Sequence, residues 1–239
     1  MKIWSSLLCF FLIFACAGIL LSRLDTLSED GAAAVGSSVF ENGDSSSWIV
    51  AVDAGHGGND PGKVGEDGVM EKDINLAIAM DLKEALEESG IKVIMTRESD
   101  TGLYSAGASN KKAEDMKNRI AVIEESGADI LISIHQNSFT QPQYHGAQVF
   151  FYTGSDSGEK LADAVQENLI KGADTDNTRQ AKANSDYYLL KNSSIPAVIC
   201  ECGFLSNPEE CARLASEEYQ KTIAGCIAQG IMEYLSAYS

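Results

Sequence analysis

Three apolar runs of this 239-residue chain each lead to an ionisable side chain. The runs are WIVAVDAGH, which ends at His56, DILISIH, which ends at His135, and IPAVICE, which ends at Glu201. Short, nearly continuous apolar runs of this kind are typical of strands that are buried on both faces of a parallel sheet. Helical patterns separate the runs. This alternation predicts a single α/β domain with a mostly parallel, mixed sheet of about six strands flanked by helices.

The apolar periodicity also predicts where the individual elements lie. Strands are expected over residues 48–52, 91–96, 129–134, 147–152 and 196–201, with a further short strand at YYLL, residues 187–190. Helices are expected over residues 72–89, 112–126 and 157–171 and within 208–234, and glycines follow the first two.

The three ionisable residues are expected to meet, because parallel strands place their carboxyl ends at one edge of the sheet. Two imidazoles beside a carboxylate are costly to desolvate unless they bind something, and a divalent metal ion would do this. Catalytic zinc commonly takes two histidines and a glutamate. Glu71 is a candidate third ligand, because the glycine-rich loop after His56 could bring it back to the strand end. An acid favoured by a helix N-terminus explains Glu71 equally well, and Glu66 and Asp67 are nearby alternatives.

Other polar and sulfur-bearing residues near these runs are interpreted as structural. Cys200 and Cys202 flank Glu201 and are expected to pack in the core on the opposite face of the strand. Arg97 and Asp100 are expected to pair and to brace the loop that follows their strand.

The N-terminal part of the chain differs in composition from the rest. Residues 3–21 are apolar except for two serines, which predicts a signal peptide or a membrane anchor over residues 1–21. Residues 22–47 are rich in Ser, Gly, Ala and acids and are interpreted as a disordered linker before a domain at 48–239. The formal net charge of −17 argues against a nucleic-acid partner, since phosphate binding needs a basic surface.

The motifs VDAGHGGNDPG, NRIAVIEESGADILISIHQNS and PAVICECGFLSNPEE resemble those of the zinc-dependent N-acetylmuramoyl-L-alanine amidases of the type 3 family. The resemblance extends from about residue 48 to residue 234. It implies one Zn²⁺ per chain, held by the residues that match here His56, Glu71 and His135, with Glu201 as the catalytic glutamate. It also implies a peptidoglycan substrate, cleaved between the lactyl group of N-acetylmuramic acid and L-alanine of the stem peptide.

Within that family, SIHQNS and GAQVFFY most resemble the germination-specific spore-cortex amidases. This resemblance implies a role in sporulation and germination, through cortex maturation and muramic lactam formation. It implies export to the space between the forespore and mother-cell membranes, membrane contact only through the N-terminal segment, and room for a regulatory protein of unknown identity. Two alternatives stay open, a zinc peptidase that acts on cell-wall peptides and a non-catalytic, zinc-bearing wall-binding module.

Overall fold

The computed structural model describes residues 48–65 and 68–237. The predicted N-terminal segment (1–21) and linker (22–47) lie outside the described residues, as do Glu66 and Asp67. The strands are β1 (Ile49–Ala54), β2 (Lys92–Met95), β3 (Ile130–Asn137), β4 (Gln148–Tyr152), β5 (Lys182–Asn184) and β6 (Ala197–Phe204). The helices are α1 (Glu71–Glu88), α2 (Lys111–Ser126), α3 (Asp156–Gly172), α4 (Tyr188–Asn192), α5 (Pro208–Leu214) and α6 (Glu217–Ser236).

The six strands form one mixed sheet in the order β2-β1-β3-β6-β4-β5. β2, β1, β3 and β6 are parallel, β4 is antiparallel to β6, and β5 is parallel to β4. The predicted α/β fold with a mostly parallel, mixed sheet is therefore confirmed. Because β1, β3 and β6 are adjacent and parallel, their carboxyl ends lie side by side.

Helices cover both faces of the sheet, and the alternation of side chains along each strand divides the core in two. On β3, Ile130, Ile132 and Ile134 belong to the core beneath α1, α3 and α6, whereas Leu131 belongs to the core beneath α2 and α4. All four side chains are fully or almost fully buried. Burying each contributes roughly 1.5–3 kcal/mol relative to leaving it exposed. The sheet that carries the polar strand ends is therefore a rigid, two-sided support.

The prediction of a short strand at YYLL is wrong. The backbone N–H of Lys191 donates to the carbonyl of Tyr187, and that of Ser193 donates to Leu189, so the segment closes helical turns and forms α4. The sixth strand is instead β5, which pairs with β4. Its three residues are polar or small and largely exposed, so it has no apolar pattern from which a strand could be predicted.

Two further findings concern the described residues as a whole. None of their helices is both long enough and apolar enough to cross a membrane. Their four cysteines are free thiols, and Cys200 and Cys202 are fully buried in the core beneath α1, α3 and α6, as predicted.

Candidate active site

His56, Glu71 and His135 meet at the carboxyl edge of the sheet. His56 follows β1, Glu71 is the first residue of α1, and His135 lies in β3. Oε1 of Glu71 is 3.2 Å from Nε2 of His56 and 2.9 Å from Nδ1 of His135. One donor atom from each of the three residues lies within 4.8 Å of the others, and no other such group of His, Cys, Asp or Glu occurs in residues 48–65 and 68–237. The loop after β1 therefore does fold back, and Glu71 faces both imidazoles.

Two buried arginines hold the loop that carries His56. His56 has a φ of +61°, in the left-handed region that costs a non-glycine residue on the order of 1–3 kcal/mol. Arg97 donates from Nε to the carbonyl of Ala54 (2.8 Å) and from Nη2 to that of Gly55 (3.0 Å). Arg119 donates from Nη1 to Ala54 (2.7 Å) and from Nη2 to the carbonyl of His56. Three consecutive carbonyls are thus fixed, which stabilises the unusual backbone of His56.

The expected pairing of Arg97 with Asp100 is wrong. Both residues bind the loop after β1, and Arg97 also donates to the carbonyl of Ser99 in the loop after its own strand. Arg97 uses its donors on backbone carbonyls, as described above. Asp100 instead accepts hydrogen bonds from Nζ of Lys72 (2.6 Å) and from the backbone N–H of Gly58 (2.8 Å). Sequence proximity could not predict this, because the carbonyls that compete for Arg97 belong to a distant strand end.

Arg119 is itself held by a buried ion pair beneath the site. Its Nη1 lies 2.6 Å from Oδ1 of Asp53, and the two side chains are 1% and 0% exposed. Asp53 also accepts hydrogen bonds from Thr96 and Ser133. Burial by itself raises the pKa of Asp53, but the Arg119 charge and these hydrogen bonds outweigh it and lower the pKa to about 2. The pair stays charged near neutral pH and anchors the loop to the sheet.

Two glycines allow the ligand side chains to come together. A Cβ on Gly55 would lie 2.2 Å from Nε2 of His135, so any side chain would displace that ring. Gly62 has a φ of +66°, and a Cβ there would lie 2.5 Å from Oε2 of Glu71 and 2.7 Å from Cδ2 of His56. Both glycines are therefore required by close contact with the site.

Asp60 orients His56 and was not predicted from the sequence. Its Oδ2 lies 2.9 Å from Nδ1 of His56, while its Oδ1 accepts from the backbone N–H of Gly62 (3.0 Å). A proton on Nδ1 is thereby held by Asp60, and Nε2 is directed at Glu71 and His135. Burial lowers the pKa of His56, but Glu71 and Asp60 together raise it above the usual value. The only sequence signal is a carboxylate four residues after the histidine.

The carboxylate of Glu71 is buried and fully hydrogen-bonded. Its Oε2 accepts from the backbone N–H of Lys63 (2.8 Å), and its Oε1 accepts from that of Gln136 (3.1 Å) and from Nδ2 of Asn75 (3.4 Å). Burial raises the pKa of Glu71, but the hydrogen bonds and charges of His135 and His56 outweigh this and hold it far below its usual range. Glu71 is therefore an anion at any physiological pH.

Glu201 lies beside this group, since its Cα is the register partner of His135 in the β3–β6 ladder. Its side chain is 7% exposed. Oε1 accepts a hydrogen bond from the hydroxyl of Tyr187 (3.1 Å), whereas Oε2 has no hydrogen-bond partner among the described residues. Burial raises the pKa of Glu201 above its usual value, and the negative charge of Glu71 adds to this. The charges of His135 and His56 and the hydrogen bond from Tyr187 act in the opposite direction but do not outweigh burial. A buried carboxylate with one free oxygen and a raised pKa is suited to proton transfer.

A cavity of about 190 Å³ opens beside these residues. The two histidines line one side of it, and the N-terminal half of α2 and the start of α4 line the others. Lys112 contributes a positive charge to this lining, and Met116 and Leu189 contribute apolar surface. A substrate with both polar and apolar parts could therefore reach the edge of the sheet where the three residues meet.

Comparison with known proteins agrees with the motifs. A family model described as N-acetylmuramoyl-L-alanine amidase matches residues 50–233. The germination-specific N-acetylmuramoyl-L-alanine amidase of Bacillus subtilis (strain 168) is 39% identical over 208 residues, which are 82% of this chain and 87% of that protein. The CwlD amidase from Clostridioides difficile, solved in complex with the GerS lipoprotein, is 45% identical with a TM-score of 0.78, over 80% of this chain and 99% of that chain.

AmiC2 of Nostoc punctiforme, another N-acetylmuramoyl-L-alanine amidase, is 34% identical with a TM-score of 0.71, over 80% of this chain and 99% of that chain. Sequence identity and fold thus agree over nearly all of the described residues. The resemblance predicted from the motifs is confirmed, and this chain belongs to the N-acetylmuramoyl-L-alanine amidase family.

Proposed function

We propose that this protein is a zinc-dependent hydrolase that cleaves the amide between the lactyl group of N-acetylmuramic acid and L-alanine in peptidoglycan. One observation carries the proposal beyond family membership. Two imidazoles and an ionised carboxylate present donor atoms within 4.8 Å of one another, directly beside a second buried carboxylate whose pKa is raised. A metal ligand set and a proton-transfer group are the two parts that such a hydrolysis needs.

The donor set fits a single zinc ion per chain. Nε2 of His56, Oε1 of Glu71 and Nδ1 of His135 would hold it, which is the two-histidine, one-glutamate set of catalytic zinc sites. Three protein ligands leave a position for water or substrate, whereas structural zinc is normally closed by four. When bound, zinc activates water by lowering its pKa toward ~7 and polarises the carbonyl as a Lewis acid.

Glu201 would act as general base and then as general acid. Its carboxylate takes a proton from the attacking water as oxygen bonds to the lactyl carbonyl carbon. It then returns the proton to the nitrogen of L-alanine as the carbon–nitrogen bond breaks. Such proton transfer contributes roughly 10²–10⁴ to the rate.

Two alternative functions use the same residues differently. A zinc peptidase would apply the same chemistry to an amide within the cell-wall peptide. A non-catalytic, zinc-bearing wall-binding module would need only the ligands. The free Oε2 of Glu201 favours an enzyme, since a module that only binds has no use for a buried carboxylate with an unsatisfied oxygen.

A role in the spore cortex is supported by similarity to the B. subtilis germination-specific amidase and to CwlD. We propose that the protein acts outside the cytoplasmic membrane, between the forespore and mother-cell membranes, on the glycan strands that acquire muramic lactam. Residues 1–21 would provide export and the only membrane contact, as a cleaved signal or as an anchor. Because CwlD was solved with the GerS lipoprotein, we also propose a regulatory protein partner for this chain.

Mass spectrometry of peptidoglycan incubated with the zinc-loaded protein tests the reaction. We expect stem peptides with a free L-alanine amino group, together with muramic acid that keeps its lactyl carboxylate. Release of D-alanine instead would identify a peptidase. Zinc binding without any product would identify a wall-binding module.

A further inference from the structure

Tyr187 makes the one hydrogen bond that the Glu201 carboxylate receives from the described residues. Its hydroxyl donates to Oε1 at 3.1 Å, and Oε2 is left buried without a partner. Tyr187 also lines the 190 Å³ cavity together with His135, so the residue that contacts the candidate base borders the space open to substrate. The apolar pattern predicts only a short strand at YYLL, and it gives no indication that Tyr187 contacts Glu201.

The ring of Tyr187 is fixed independently of Glu201. Its backbone N–H donates to Oδ1 of Asn184 at the end of β5 (2.9 Å), and its carbonyl accepts from Lys191 in α4. The ring packs edge to face on Phe150 of β4, with centroids 5.4 Å apart. The hydroxyl is therefore held by the sheet and α4, and it can determine how the Glu201 carboxylate is oriented.

An isolated carboxylate can rotate about its terminal bond, which makes its two oxygens interchangeable. A single fixed donor on one oxygen removes this freedom. We propose that Tyr187 is a positioning residue for the amide hydrolysis: by holding Oε1 of Glu201, it makes Oε2 the oxygen that receives the proton of the attacking water. This inference rests on the proposed function and adds to it the residue that orients the base.

The proton balance leaves Tyr187 unchanged throughout. A water O–H bond breaks, its proton passes to Oε2 of Glu201, and the same proton later passes to the nitrogen of L-alanine. Tyr187 keeps its own proton and its hydrogen bond to Oε1 in each step. Because its hydroxyl is bonded to Glu201, loss of that hydroxyl should slow the chemical step without weakening substrate binding.

The test compares Tyr187→Phe with Tyr152→Phe in the full-length, zinc-loaded protein. Phenylalanine keeps the ring contact with Phe150 and removes only the hydroxyl. Tyr152 is a matched control, because it packs against the same core as Tyr187, does not line the cavity and makes no hydrogen bond to Glu201. For Tyr187→Phe we expect kcat to fall about 10- to 100-fold, the size expected for a lost hydrogen bond to a charged group. KM, zinc content and thermal midpoint should stay near wild-type values, and Tyr152→Phe should behave as wild type.

Three results would overturn the inference: an unchanged kcat in Tyr187→Phe, a rise in KM at constant kcat, or an equal loss of kcat in both variants. The second result would show that the hydroxyl binds substrate. The third would show that removing any tyrosine hydroxyl from this core disturbs the site. The reaction of the wild-type protein distinguishes failure of this inference from failure of the proposed function. If the wild-type protein releases no stem peptide, the proposed function fails, whereas equal release by wild type and Tyr187→Phe contradicts only the role of Tyr187.

Discussion

The two halves of the site satisfy their polar groups in opposite ways. On the β1–α1 side, both oxygens of Glu71 accept backbone hydrogen bonds, and Asp60 and Arg119 hold His56 by its ring and its carbonyl. On the β6 side, Glu201 has one hydrogen bond and one free oxygen, and its neighbours along the strand are buried cysteines. This contrast suggests that the β1–α1 side is built to stay fixed and that the β6 side is built to take part in the chemistry. In the proposed function, the residues that hold a metal ion would need their other polar contacts satisfied, whereas a general base would need one oxygen left free.

Substituting the reactive half should affect turnover and little else. In Glu201→Gln we expect kcat to fall by roughly 10²–10⁴, because the amide cannot accept the water proton. Zinc content should stay at one per chain, since Glu201 is not among the three ligands. Steady-state release of stem peptide and metal analysis on the same sample measure both. Glu209→Gln, at an exposed acid on α5, is the control. Loss of zinc from Glu201→Gln would show that the two halves cannot be separated.

Substituting a buried residue that supports the β1–α1 side should instead lower the free energy of unfolding. Arg119→Met removes the cation that neutralises Asp53 and leaves a buried charge uncompensated, which typically costs about 3–5 kcal/mol. Urea unfolding measures this loss. Arg213→Met is the matched control, because Arg213 is an exposed arginine that donates to the carbonyl of Ala173 and stacks on Tyr219. We expect it to cost at most about 1 kcal/mol. Equal losses of unfolding free energy in the two variants would mean that the buried ion pair of Arg119 does not stabilise the protein more than an exposed arginine does.

Removing the residue that orients His56 should weaken zinc binding by a smaller amount. In Asp60→Ala we expect zinc affinity to fall about 10- to 100-fold, the usual cost of losing a partner that orients a metal ligand. Competition with a chelator of known affinity measures the change. Asp100→Ala is the control, since Asp100 contacts the same loop through Gly58 without touching His56. An unchanged affinity in Asp60→Ala would show that the ligand half does not depend on this hydrogen bond.

The most gradual effect should come from pH. The pKa of Asp53 is lowered from 3.8 to about 2, so its contribution to stability is complete above the unfolded-state pKa and is lost as the pH falls toward 2. A shift of this size corresponds to about 2 kcal/mol. Urea unfolding at pH 5 and at pH 2 should therefore show that the stability advantage of wild type over Asp53→Asn shrinks by about this amount. A constant difference would mean that Asp53 is not the group that titrates.

The sequence predicted the parts of the site that depend on strand ends and missed those that depend on loops. The convergence of His56, His135 and Glu201 follows from three buried runs in parallel register, so the pattern of apolar residues was sufficient. Glu71 could not be separated from an ordinary helix-start acid by residue type alone. Asp60 lies in the loop after β1, and Tyr187 directly precedes the short helix α4. Neither segment has an apolar periodicity that would indicate where its side chains point. Their roles depend on backbone torsions that a single sequence does not reveal.

The pairing of His135 with Glu201 across two hydrogen-bonded strands has a consequence for how this protein could vary. The spacing between His135 and Glu201 is set by backbone hydrogen bonds between the two strands and does not depend on the length of the loops. A slip of one residue between β3 and β6 would turn Glu201 into the apolar core and present the thiol of Cys200 or Cys202 in its place. Insertions in the surrounding loops could therefore change which substrates are accepted, while a single insertion in β6 before Cys200 would place a thiol where the carboxylate of Glu201 lies.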